Sequence, residues 1–478
     1  MAPAAHAAVL ADFGSTFTKV SLVELETGRL LARAQAPTSV TTDVLNGYRT
    51  ALDRALAEAG PSVVVGPRLA ASSAAGGLRV AAIGLVEDLT AAAARQAALN
   101  AGARIELLLH GRLDATSQES LRRVAPEVVL VSGGTDGGQE RIVLDNAEVL
   151  AAAEVEAHFV VACNERVGER VAAVLARTGS RVDVVANVMP RIGTLEVEPA
   201  RKAISEAFVN HVIKGKGLST SDEFASQVVM PTPEAVLRAT HLYAIGAPEL
   251  DGAGDVLVVD VGGATTDVHS SSQQSDPGPG VRGPLLPVTP IRRTVQGDLG
   301  LRSNAPSVLA NDRGWQLARL AELSIDVAAA EYAVARRAES PELVASTRED
   351  WDVDRTLAIG CIHQALRRHC GRLTISQRPN QPARISANGP DLRAVPIVIG
   401  TGGILVRSPD AVEILQEALD RCDDRSLTPR TPRLAIDTDY LLAAAGLLAE
   451  VDPRAAYRLM RARIHSETAG HGSDTRIV

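Results

Sequence analysis

Lysine is nearly missing from this chain. Only Lys19, Lys202, Lys214 and Lys216 stand beside 45 arginines among the 49 basic residues. With so many alanines, the imbalance reads as codon bias, and most arginines are expected to be solvated surface. Cysteine is as scarce. Cys163, Cys361, Cys370 and Cys422 are scattered without a CxxC pair, which argues against a disulfide framework and makes the reducing cytoplasm the expected compartment. Aromatic residues make up only 3%, too few to build base-stacking platforms. No uninterrupted apolar run reaches the ~18 residues of a membrane span. Met1–Leu10 lacks a basic leader and runs into Asp12, so no signal peptide is expected. Nor is there an excess of positive charge. The formal charge is −8 and the pI is near 5.8, which excludes a broad basic surface for nucleic acid or anionic lipid.

What is present is ordinary globular material, 46% hydrophobic and 22% charged over 478 residues, enough for two to four domains. Val9–Asp12, Lys19–Leu25 and Arg29–Ala34 read as strands separated by glycine-containing turns, and Val44–Glu58 as a helix. Leu69–Ser73 and Leu78–Gly84 flank Gly76–Gly77 and predict a hairpin. The apolar runs Ile105–Leu109, Val128–Val131, Phe159–Ala162 and Val182–Ala186 alternate with helical segments near 89–101, 115–124, 139–153 and 165–177. That alternation predicts parallel βα units and a doubly wound sheet. A second αβ system begins after about residue 235. It holds a strand at Asp255–Val261, a polar loop with room for an edge strand at His269–Pro290, helices at 313–337 and 341–370, an exposed hairpin or excursion at 371–394 and a strand at Val395–Ile399. Tyr440–Glu450 is expected to be the final helix, and Glu467–Val478 a frayed tail.

Two stretches resemble one another: Leu10–Lys19, containing Asp12-Phe13-Gly14-Ser15-Thr16, and Val259–Asp267, containing Asp260-Val261-Gly262-Gly263-Ala264-Thr265-Thr266. They are spaced by 248 positions (260 minus 12). Each is a buried strand ending in Asp, a Gly/Ser/Thr turn, and a second strand. Glycines let backbone N–H groups approach phosphate oxygens and form an anion-binding nest. The hydroxyls of Ser15, Thr16 and Thr265 can donate to those oxygens, and Lys19 can approach them. A carboxylate at such a place implies a divalent cation or an attacking water, and magnesium takes only one or two carboxylates.

This pair resembles the actin-like ATPase superfamily of actin, sugar kinases and heat-shock chaperone ATPase domains. Asp12–Lys19 is similar to its first phosphate motif and Asp260–Asp267 to its second. Met230–Ala235 resembles the first connecting helix, Ile399–Ile404 the adenosine motif, and Asp439–Gly446 the second connecting helix. The resemblance implies a two-lobed α/β fold with duplicated ribonuclease-H-like domains and a nucleotide cleft between them. It assigns Asp12 and Asp260 to catalysis and to the metal. Gly14, Ser15, Thr16, Thr18, Lys19, Gly262, Gly263, Thr265, Thr266, Gly400, Gly402 and Gly403 then hold ATP. The implied lobes are residues 1–235 and 236–438, followed by a connecting region, 439–466.

A narrower resemblance rests on Phe13–Lys19, Val131–Gly138, Asn187–Pro190, Val261–His269 and Arg293–Gly300. Together they resemble the MutL-like proteins of glutamate mutase systems, which are distinct from the mismatch-repair proteins of similar name. That resemblance implies an ATP-dependent reactivating partner of an adenosylcobalamin-dependent mutase. It weakens around Ile359–Gly371 and in 371–394. Three rivals share parts of the pattern: a small-molecule kinase, a hydantoinase A-type amidohydrolase or carboxylase subunit, and an actin-like filament protein.

Other features carry less. Ser132–Gly138 follows a strand and precedes a helix but matches neither G-x-G-x-x-G nor a P-loop. Cys361, His363, His369 and Cys370 cannot converge on zinc from one helix. His269 is expected to be a strand-end polar residue rather than a base. The D-x-H-x-x-G cobalamin-ligand motif is missing, so any cobalamin is expected to belong to a partner.

Overall fold

The same five-strand arrangement occurs twice. A computed structural model describes residues 5–39, 42–213, 218–219, 221–273, 280–284, 286–377 and 383–464; the expected tail at 467–478 lies outside them. The chain opens with β1 (Ala5–Phe13), β2 (Phe17–Glu24) and β3 (Leu30–Pro37), then the helix Val44–Ala59 and β4 (Val63–Ser72). An insertion follows, carrying β5 (Leu78–Gly84), β6 (Ala103–His110), β7 (Val128–Gly133), β8 (His158–Cys163) and β9 (Val182–Val184). The first sheet resumes with β10 (Val228–Pro231), which runs directly into the helix Thr232–Ile245. Its strand order is β10-β4-β1-β2-β3, antiparallel across β1, β2 and β3 and parallel across β1, β4 and β10.

A two-residue hairpin, β11 (Gly246–Ala247) and β12 (Leu250–Asp251), leads to β13 (Val256–Val261), β14 (Thr266–Ser271), the short β15 (Val281–Arg282) and β16 (Ile291–Gln296). After four helices come β17 (Arg372–Ser376), β18 (Arg384–Asn388), β19 (Ile397–Thr401) and β20 (Arg433–Ile436), then the helix Leu441–Leu448. The second sheet has the order β16-β14-β13-β19-β20, again with three antiparallel strands followed by two parallel ones. In each sheet the last parallel strand feeds a helix. This repeated order is the duplicated ribonuclease-H-like architecture.

Between the two sheets lies an apolar layer. Leu10 and Met230 from the first sheet and Val258 and Ile399 from the second pack on Ala239 and Leu442 of the two helices. A Cβ at Gly446 would overlap the Ala235 carbonyl, so the two helices touch backbone to backbone there. Only glycine allows that approach.

The insertion is a parallel sheet of order β6-β5-β7-β8-β9, as the alternating apolar runs predict. Two expectations are corrected. Leu69–Ser73 and Leu78–Gly84 do not form a hairpin, because β4 pairs with β1 and β10 while β5 joins the other sheet. Tyr440–Glu450 is not the last helix: Pro453–Arg463 follows, capped by Asp452, whose carboxylate accepts from the Ala455 amide at 2.9 Å. Within 371–394, β17 and β18 pair antiparallel, and β15 adds to β18 in parallel.

Three buried histidines make this fold acid-sensitive. His269 lies inside β14 with neither ring nitrogen hydrogen-bonded, and burial, then Arg293, holds its pKa well below the ordinary value. His369, bonded to Thr294 and Ser270, is depressed by burial and then by Arg292. His363 is held down to about 4 by burial and Arg421. Such groups bind fewer protons when folded, so their contribution to stability is complete above about pH 6.5 and falls as pH drops toward the folded values. The carboxyls of Asp260, raised to about 7 by burial and Asp267, and of Asp437, raised by burial, act in the opposite sense as pH falls. Scanning calorimetry should therefore show a net drop of the unfolding midpoint of on the order of 2–5 °C between pH 7 and pH 5. His269→Leu should remove part of that drop without loss at pH 7, because no hydrogen bond is broken.

Candidate functional site

Both hairpins are built the same way. The Gly14 amide donates to the Phe17 carbonyl at 3.2 Å, and the Gly262 amide to the Thr265 carbonyl at 2.9 Å. A Cβ at Gly14 would lie 2.8 Å from that carbonyl oxygen, closer than a side chain can sit without a shift, and one at Gly262 would lie 3.0 Å away, a tight contact, so both turns favour glycine. Asp12 sits directly across from Lys19, and Asp260 directly across from Asp267. Ser15, Thr16, Gly263 and Ala264 at the two tips are exposed. The second tip is strapped down: Leu301 and Arg302 amides donate to the Gly262 and Gly263 carbonyls, and Asn304 Nδ2 to the Ala264 carbonyl. Arg302 in turn is held by both carboxylate oxygens of buried Asp354.

Lys19 is the cation among the carboxylates. Its Nζ lies 3.3 Å from Asp12 Oδ2 and 4.6 Å from the centre of the Tyr440 ring, a cation–π distance. Burial works against its charge, but Asp12, Tyr440 and Asp260 together hold its pKa above the usual range. Asp260 is pushed up to about 7, first by burial and then by Asp267; Asp12 and Asp437 add to the shift and Lys19 opposes it. Asp437 is raised by burial although it accepts from the Leu441 and Leu442 amides and the Thr401 hydroxyl. The Thr232 hydroxyl donates to Asp12 Oδ1 at 2.7 Å, tying the start of the helix Thr232–Ile245 to the first hairpin.

The structure thus brings Asp12, Lys19 and Asp260 together from the two halves. Gly402 backs them with φ of 96°. A Cβ there would sit 2.7 Å from Val261 N and 2.8 Å from Asp260 Oδ1 and would overlap the Val261 carbonyl. A cavity of about 150 Å³ beside this point is lined by Gly262, Gly263, Arg302, Trp351, Gly403 and Arg407. Larger cavities lie elsewhere, so size alone does not locate the site.

Three residues expected at the site face other surroundings. Thr18 is fully buried on the opposite face of β2 from Lys19, its hydroxyl 3.0 Å from Thr38 Oγ1. Thr266 is likewise buried and donates to the Leu299 carbonyl at 2.7 Å. Gly400 turns toward Leu405, Leu415 and Ile436, so its small size serves packing. Conversely, Asp267, Thr232, Asp437 and Tyr440 stand at the site without having been assigned to it. Thr232, Asp267 and Tyr440 lie inside the motifs quoted above, and strand alternation marks Asp267 as a neighbour of Asp260. Among the described residues no group of three or more His, Cys, Asp or Glu is arranged to hold a metal ion.

The sequence pattern of the MutL protein family matches residues 8–464. Protein MutL of Clostridium tetanomorphum is 40% identical over 458 residues, covering 95% of this chain and 98% of that protein. Among solved structures, nucleotide-free acetone carboxylase aligns over 92% of this chain and 70% of that one, at 14% identity and a TM-score of 0.37. Xylulose kinase from Bifidobacterium adolescentis aligns over 96% and 93%, at 13% identity and a TM-score of 0.31. Likenesses at that level leave the fold to rest on the repeated strand order. The matched pattern spans nearly the whole sequence and the relative is similar from end to end, so the chain belongs to the MutL protein family.

Proposed function

We propose that the cleft binds ATP with magnesium and that the chain hydrolyses it as an accessory, reactivating factor for an adenosylcobalamin-dependent mutase such as glutamate mutase. The observation that carries the nucleotide part is the pair of equivalent hairpins, with Lys19 between an Asp from each. Backbone amides at Ser15–Thr16 and Gly263–Thr265 would cradle phosphate oxygens, with Ser15, Thr16 and Thr265 hydroxyls as further donors. The cavity beside Gly403 is smaller than the ~300–1,000 Å³ of a whole ligand site, so it would take one end of the nucleotide while the rest lies along the open cleft.

Two carboxylates with hard oxygen donors suit magnesium, which keeps most of its waters. Asp12 and Asp260 would hold it, directly or through water. When bound, the ion would supply charge neutralisation on the phosphates and help polarise the attacking water. Lys19 would turn from Asp12 toward the phosphates, giving up its place among the carboxylates. Thr232 would carry the change at Asp12 into the helix Thr232–Ile245, which packs on the partner helix Leu441–Leu448. Contacts made only with the γ-phosphate would then set how closely the halves approach.

Support for the partner is family membership. The four free cysteines support a reducing, cytoplasmic setting, and among the described residues no helix is long and apolar enough to cross a membrane. The test is calorimetry of ATP binding with magnesium, followed by titration of an adenosylcobalamin-dependent glutamate mutase in the ATP and ADP states. One ATP per chain and at least tenfold different mutase affinities, about 1.4 kcal/mol, are expected. Equal mutase affinities would overturn the accessory role. Phosphoryl transfer to a metabolite would favour the kinase, copurification with a large hydrolytic subunit the amidohydrolase, and nucleotide-dependent sedimentation the filament.

A further inference from the structure

Arg293 lies on β16, the edge strand of the second sheet, yet its guanidinium reaches into the insertion. It is 2% exposed. Nε donates to Asp267 Oδ1 at 2.8 Å, while Nη1 donates to the carbonyls of Leu99 (2.9 Å) and Ala103 (2.8 Å). Those carbonyls flank the turn between the helix Ala92–Asn100 and β6. Asn100 makes the return contact. Its Oδ1 accepts from the Arg293 amide at 3.0 Å and its Nδ2 donates to the Ile291 carbonyl at 3.1 Å. It occupies the open edge of β16 as another strand would, and Gln96 holds it there at 2.7 Å.

At its other end this network enters the candidate site. Asp267 is the cross-strand partner of Asp260, and its second oxygen accepts from the Thr265 hydroxyl at 3.2 Å. A line of polar contacts therefore runs from the second hairpin through Asp267 and Arg293 to the backbone of the insertion. Burying a guanidinium is costly unless its charge and donors are all answered. Here the answers come from two separate parts of the chain, so neither part can shift without disturbing the other. A cavity of about 770 Å³ borders the junction, lined among others by Asn100, Ile291, Leu237 and Arg238.

We infer that Arg293 is a positioning residue that locks Asp267, and with it the second hairpin, to the insertion, so that occupancy of the hairpin sets the insertion's placement. The inference rests on the nucleotide reading above. When the Thr265 hydroxyl donates to a phosphate instead of to Asp267, that carboxylate leans on Arg293 alone. The grip on Leu99 and Ala103 changes with it. Lysine cannot reproduce this, since one ammonium lacks the planar fork that spans a carboxylate and two carbonyls.

The test is hydrogen–deuterium exchange of the full chain with and without the ATP analogue AMPPNP and magnesium, read in peptides covering 92–107. In the wild type, AMPPNP should slow exchange there by about fivefold or more, the lower end of ordinary coupling between sites. Arg293→Lys should still bind AMPPNP, about threefold more weakly, and lose the slowing. Asn100→Ala, remote from the nucleotide, should bind AMPPNP as the wild type does and also lose most of the slowing; it carries the test if Arg293→Lys does not fold. Slowing retained in a folded variant, or missing from a wild type that binds AMPPNP, overturns the relay while the nucleotide reading stands. A wild type that binds no AMPPNP overturns both.

Discussion

Asp260→Asn should fold normally and lose ATP hydrolysis by on the order of 10²–10³-fold at saturating ATP and magnesium, the scale seen when one preorganised electrostatic group is removed. Burial and Asp267 already hold the Asp260 carboxyl up at about 7, so the neutral acid is well populated near neutrality. Asparagine has nearly the shape of that acid, and the substitution leaves no new charge unpaired in the interior. Asp12→Asn should lose hydrolysis to a similar extent for a different reason. It weakens the hold on Lys19 and Thr232, so melting should be checked beside turnover. Wild-type turnover in either variant would remove that Asp from the mechanism.

Gly402→Val should damage the protein still more visibly. A Cβ at 402 enters the space of the Val261 backbone and the Asp260 carboxylate, and the local φ of 96° disfavours any branched side chain. Strain and overpacking together should cost on the order of 3 kcal/mol or more of stability, with ATP binding lost alongside. Differential scanning calorimetry and nucleotide titration should therefore fail together. A variant with wild-type melting and weakened ATP affinity would instead place open ligand space, not protein backbone, at this glycine. Gly403→Ala is the contrasting case, because the nearest atom to its added Cβ is Tyr440 Oη at 3.7 Å; it should melt like the wild type.

Much of this arrangement is written locally. A strand ending in Asp followed by a Gly/Ser/Thr turn is a short-range signal, and its repetition at 260 marks two equivalent halves. Strand alternation would also have separated Lys19 from Thr18 and Asp267 from Thr266, since neighbours on a strand face opposite sides. Asp452-Pro453 is likewise a helix-start signal, and it marks the helix Pro453–Arg463. What local sequence could not supply is partner choice. Gly76–Gly77 looks like a hairpin turn, but β4 and β5 are claimed by distant strands in two different sheets. Arg293 could not be told from 44 other arginines, because its burial depends on Asp267, Leu99 and Ala103 arriving from elsewhere in the chain. The cation–π contact of Lys19 with Tyr440 spans the two halves in the same way.

Recovery of an inactivated mutase tests the account most directly. An adenosylcobalamin-dependent glutamate mutase would be turned over until inactive, then mixed with this chain, ATP, magnesium and fresh adenosylcobalamin. Activity should return with the wild-type chain and ATP, and should fail to return with ADP, without magnesium, or with Asp260→Asn. Recovery that is equal with Asp260→Asn, or no recovery by a wild-type chain that binds and hydrolyses ATP, would contradict the proposal that nucleotide turnover in this cleft serves the mutase.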